Sequence, residues 1–89
     1  MHRLHCGLES RLLDLMSETG ELSKEVLKVT DYGKRPFELT DEFELEFGDV
    51  FFALLCVANE AGLDAESSLE LALKKYAARL SAARTPSSS

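Results

Sequence analysis

Residues 50–58, VFFALLCVA, place apolar side chains around the whole circumference of any helix they form. A helix that is hydrophobic on every side must be covered on more than one of them. A chain of 89 residues has limited means of supplying that cover, because the fraction of surface buried on folding falls as chains shorten. The segment therefore asks for helical neighbours, and some of them are expected from a second copy of the chain.

The rest of the sequence supplies helices rather than strands. From Leu8 to Val29, apolar residues recur at Leu8, Leu12, Leu15, Met16, Leu22 and Val26, a period of 3.6 rather than 2. Residues 30–39, TDYGKRPFEL, break that pattern with Gly33 and Pro36. A second helix is predicted over Asp41 to Ala61: Thr40 or Asp41 is its cap, Asp41 and Glu44 have capping-box spacing, and Gly62 is its stop. On it, Phe43, Phe47, Val50, Leu54 and Val57 share one stripe, read as core and subunit contact. Asp64 is the expected N-cap of a third helix with the stripe Leu69, Leu73, Tyr76 and Leu80. The predicted fold is all-α: an antiparallel helical hairpin plus a third helix, completed as a helical bundle by oligomerisation. Residues 1–84 form one domain, and the small polar tail 85–89 is expected to be disordered.

Composition narrows the function classes. Sixteen acidic against ten basic residues give a formal charge of −6, which opposes attraction to nucleic acid polymers and to anionic lipid. No apolar run reaches the roughly 20 residues of a membrane span, and the N-terminus has no signal pattern. Cys6 and Cys56 lack metal-site or disulfide-framework spacing and read as reduced thiols of a cytoplasmic protein. His2, His5 and Cys6 sit too near the terminus to be assigned a metal site.

The acids are not spread evenly. At 100° per residue, Asp14, Glu18, Glu21 and Glu25 fall within about 60° of one another on the first helix, beside the apolar edge marked by Leu15 and Leu22. Like charges at this spacing destabilise a helix by roughly 0.2–0.5 kcal/mol per pair, and Lys24 and Lys28 answer only part of the stripe. On the second helix, Glu42, Glu46 and Asp49 form another stripe that runs into the apolar segment, so Asp49 is expected to be partly desolvated. Ionised carboxylates withdrawn from water need a partner, and a divalent cation with an all-oxygen shell, Mg²⁺ above all, is an economical one. The competing reading is two solvated acidic faces. Gly20, inside the first helix, suggests a close approach by another helix or a ligand.

The pairs Glu18-Thr-Gly-Glu21 and Glu46-Phe-Gly-Asp49, set in LMSETGELSKEVLK and ELEFGDVFFALLCVANEAGLD, resemble the ExxE…ExxD signature of the MazG-like all-α nucleotide pyrophosphohydrolases. The likeness extends over residues 12–79. Ser17 stands where many relatives carry a further Glu, and Ala77 where some carry Asn. The resemblance implies that Glu18, Glu21, Glu46 and Asp49 bind Mg²⁺, with Mn²⁺ as a substitute. It implies cleavage of a nucleoside triphosphate to the monophosphate and pyrophosphate by a dimer or a tetramer. Lys34 and Arg35 of the loop, and Lys75 and Arg79 of KKYAAR, are the expected substrate-binding cations. The alternatives are a noncatalytic oligomeric helical module and a regulatory nucleotide binder.

Overall fold

The computed structural model describes residues 7–83. The tail 85–89 and the trio His2, His5 and Cys6 lie outside the described residues. Within them the chain is three α-helices: α1 (Leu8–Val29), α2 (Asp41–Ala61) and α3 (Ala65–Ala83).

Local chemistry sets the boundaries. The Thr40 hydroxyl accepts a hydrogen bond from the Phe43 amide at 3.0 Å, so Thr40 is the N-cap of α2 and Asp41 is its first helical residue. The capping box expected from Asp41 and Glu44 is therefore out by one position. Phe37 stacks edge-on to Phe43, 4.8 Å between centroids, and pins the incoming loop to that cap. Gly62 ends α2 in the left-handed region at φ 73°, where a side chain would be strained. Asp64 caps α3, its carboxylate accepting from the amides of Glu66 and Ser67 at 2.9 and 3.3 Å.

α1 and α2 pack against each other as a hairpin. The seam follows a seven-residue repeat that can be read from burial. On α1 the residues on that repeat are Arg11, Leu15, Glu18, Leu22, Glu25 and Val29; on α2 they are Phe43, Glu46, Val50, Ala53, Val57 and Glu60, with Cys56 and Ala58 covered as well beside it. Each helix thus contributes one apolar rail and one rail that is mostly charged. Ala53, 1% exposed, is the small member of the α2 charged rail and leaves room where larger residues would fill the seam.

Elsewhere the apolar surface is uncovered. Phe47 and Leu54, expected in the core stripe, are 57% and 47% exposed, because the actual inward face of α2 runs through Glu46 and Ala53 instead. α3 buries no residue, and its stripe of Leu69, Leu73, Tyr76 and Leu80 faces outward. An open apolar notch of about 310 Å³, lined by Leu54, Val57, Leu63 and Leu69 among others, separates α3 from α2. The radius of gyration is 18.1 Å, against about 12 Å for a compact domain of this length. The accessible surface is 7132 Å², against about 5,200 Å² for a compact monomer of this mass. The chain by itself is a slab 18 Å thick without a closed core.

Candidate metal centre

The acidic stripes meet in the seam. Glu18 of α1 and Glu46 and Asp49 of α2 each direct a carboxylate oxygen to one locus, and the three oxygens lie within 4.8 Å of one another. Glu18 and Glu46 are partly buried by the opposing helix, whereas Asp49 is exposed. The expected desolvation of Asp49 is thus transferred to Glu18, which occupies the charged rail itself. Loss of water in the seam, then the charges of Asp49, Asp14, Glu46 and Glu21, hold the Glu18 carboxyl above the ordinary carboxylate range. A group so placed gains from a neighbouring cation.

Glu21, the remaining predicted ligand, stands beside this cluster. Its carboxylate lies 3.7 Å from the Lys24 ammonium, one turn along α1. Glu25, also in the charged rail, is buried and pairs with Lys28 at 3.6 Å. Both lysines therefore answer acids on their own helix, and neither approaches Glu18 among the ion pairs formed.

The donor set suits a small divalent cation. In an octahedral Mg²⁺ shell with bonds of about 2.1 Å, neighbouring oxygens stand about 3.0 Å apart and opposite ones about 4.2 Å, so carboxylates spread over 4.8 Å draw together to share one ion. All three donors are carboxylate oxygens, the choice of a hard ion, and the exposed Asp49 leaves one side of the locus open to solvent.

The chain matches the MazG nucleotide pyrophosphohydrolase domain over residues 7–82. The chain belongs to the MazG family. It is also 35% identical over 68 residues to the uncharacterized protein YpjD of Bacillus subtilis strain 168, a match that covers 73% of this chain and 60% of YpjD. The chain thus spans about three fifths of that relative's length. No solved structure gives a significant match.

The predicted cations of this MazG domain do not gather at the acids. Arg35 donates from Nε to the Val29 carbonyl at 3.1 Å and closes the end of α1, a capping duty the sequence did not reveal. Lys75 and Arg79 flank the Tyr76 ring at 5.0 and 5.7 Å on α3, which makes few contacts with the hairpin. Gly20 has open space: a Cβ built there meets nothing within 4 Å, and the same holds for Gly48 in the second acidic pair. Close approach within the chain is therefore not the reason for either glycine. Sequence reasoning placed the connection after α1 but not its backbone, in which Asp31 and Tyr32 adopt φ of 50° and 58° before Gly33 at 87°. Only Gly33 signalled a turn there.

Proposed function

We propose that this chain is a Mg²⁺-dependent nucleoside triphosphate pyrophosphohydrolase, which converts NTP or dNTP and water to the monophosphate and pyrophosphate in the cytoplasm, in house-cleaning of the nucleotide pool. The observation that carries the reading is the convergence of Glu18, Glu46 and Asp49 from two helices inside a MazG frame. Glu18, Glu46 and Asp49 would hold the ion, with Glu21, paired with Lys24 in the free chain, as the fourth ligand. Mg²⁺ held there, or Mn²⁺ in its place, would supply charge neutralisation for the phosphates and acidity to the water that attacks the α-phosphorus. The residues themselves orient the triphosphate against the seam and keep its reacting end on the exposed Asp49 side. Pyrophosphate leaves as an anion and needs a counter-charge. Lys75 and Arg79 are assigned that role first, with Lys34 and Arg35 at the mouth of the loop.

Because α3 does not reach the acids of its own hairpin, Lys75 and Arg79 come from a second copy. The surface left open by α2 and α3 supports that association: Phe51, Phe52, Leu55, Leu69 and Leu73 are all exposed in the single chain, and an uncovered apolar surface of this kind drives assembly. The assembly is a dimer or a tetramer built from dimers. The test is a screen of NTPs and dNTPs for pyrophosphate release with Mg²⁺ and with a chelator. Metal-dependent release from at least one nucleotide is expected, and inactivity on all of them overturns the reading in favour of a noncatalytic module or a nucleotide binder.

A further inference from the structure

One strip of α2 lies outside the seam and stays largely uncovered. Phe47, Phe51, Leu54 and Ala58 follow one another at helical spacing and share one face of the helix, and the first three are exposed. The strip is uneven along its length. Two phenylalanine rings stand on its first half, whereas its second half is hollow: Leu54 and Ala58 line the notch of about 310 Å³ between α2 and α3. Apart from Ser68 the lining of that notch is apolar, and no aromatic residue of the chain contributes to it. A cavity of roughly 150 Å³ already holds a benzene-sized ring, so the notch has room for one phenylalanine.

Such a strip is the complement of itself turned end for end. Laid antiparallel on a second copy, about a two-fold axis between Phe51 and Leu54, it sets Phe47 opposite Ala58 and Phe51 opposite Leu54. Large residues then meet small ones at both levels, as close packing across a two-fold interface requires. Parallel pairing would set ring on ring and leave notch facing notch.

Charge selects the same occupant. The first half of α2, around Phe47, carries Asp41, Glu42, Glu44, Glu46 and Asp49 and no cation. Beyond Glu70, α3 carries Lys74, Lys75 and Arg79 and no acid as far as Ala83. Because α3 springs from the rim of the notch, with Leu69 in its lining, a Phe47 seated there brings the acids of one chain towards the cationic half of α3 of the other. Potentials of opposite sign then face each other, which favours this partner and this register.

We propose that a second copy docks on this strip in an antiparallel, two-fold α2–α2 pairing, in which Phe47 of each chain fills the α2–α3 notch of the other. The pairing deepens the association invoked for the proposed function and rests on that reading for the shared site, whereas the contact itself is measured without substrate.

Sedimentation over a concentration series tests the anchor. Phe47→Ala, at a position exposed in the single chain, raises the dissociation constant of the pair by roughly 30- to 1,000-fold, the worth of one interface anchor lost once or in both copies. Leu13→Ala, equally exposed but on α1, changes it by less than about threefold. A native chain that is monomeric throughout, no effect of Phe47→Ala, or an equal loss from Leu13→Ala overturns the proposal. Cysteine cross-linking in a Cys6→Ser, Cys56→Ser background reads the register. Positions 47 and 58 lie about 16 Å apart along one helix, out of reach of a disulfide. Oxidation of mixed Phe47→Cys and Ala58→Cys chains gives a covalent dimer, whereas neither chain alone does. A Phe47→Cys chain that links to itself marks parallel pairing and overturns the proposal, as does a mixture that links no faster than its components. Pairing in a chain that hydrolyses no triphosphate keeps the interface and overturns the hydrolase reading, and turnover by a monomer does the reverse.

Discussion

The α1–α2 hairpin and α3 each carry an apolar stripe, yet they end in opposite states. The hairpin covers its own seam, buries Glu25 and Ala53, and gathers three carboxylates from residues far apart in sequence. α3 buries nothing and keeps Leu69, Leu73 and Leu80 in water. On the proposed function, the difference assigns the metal-binding half of the chemistry to one chain and leaves the surface that carries Lys75 and Arg79 to be completed by another.

That contrast is broken most forcefully at the acids. Glu46→Gln or Asp49→Asn is expected to lower kcat/KM by roughly a thousandfold or more, since each removes charge from the locus on which the reacting phosphate depends. Lys75→Ala and Arg79→Ala are expected to lower it by about tenfold to a hundredfold. Steady-state pyrophosphate release measures both, and equal losses from the two halves would erase the distinction.

Association should follow α3 rather than the acids. Leu73→Glu is expected to weaken self-association by roughly tenfold to a hundredfold, the worth of one buried leucine, read by sedimentation over a concentration series. Glu46→Gln should leave the same profile unchanged.

A subtler effect separates binding from stability at Glu18. Its carboxyl pKa is raised in the folded chain, so the folded state binds the proton more tightly than the unfolded one. Metal-free stability therefore falls as pH rises from the ordinary carboxylate value through the raised one, and the penalty persists above it. Glu18→Gln should raise Tm in chelator at neutral pH, lose that advantage as the solution is acidified, and abolish stabilisation by added Mg²⁺. A lower Tm in chelator would contradict the crowding of charge in the seam.

The smallest effect concerns the glycines inside the two acidic pairs. With open space around both positions, Gly20→Ala and Gly48→Ala should each stabilise the helix by about 1 kcal/mol, measured by urea unfolding. Stabilisation accompanied by lost turnover would show that a second copy or the substrate uses that space.

Much of this was legible in the sequence. Periodicity and the breakers Gly33, Pro36 and Gly62 predicted three helices, and Asp64 announced the third. The acidic pairs were visible as well, but their setting was not. A search for apolar stripes places Glu18 and Glu46 at the border of the core, whereas they occupy the seam itself, on the repeat Arg11, Glu18, Glu25 and its counterpart Glu46, Ala53, Glu60. Charged residues at core spacing look like noise until an opposing helix shows that they face something. The capping bond of Arg35 was hidden for another reason: it depends on how a loop folds back, which no periodicity encodes.

Hydrolysis of a nucleoside triphosphate in H₂¹⁸O with Mg²⁺ present tests the central claim most directly. The account predicts that the label enters the nucleoside monophosphate and that pyrophosphate is released unlabelled. Label in pyrophosphate, a diphosphate released with orthophosphate, or no turnover at all would contradict it.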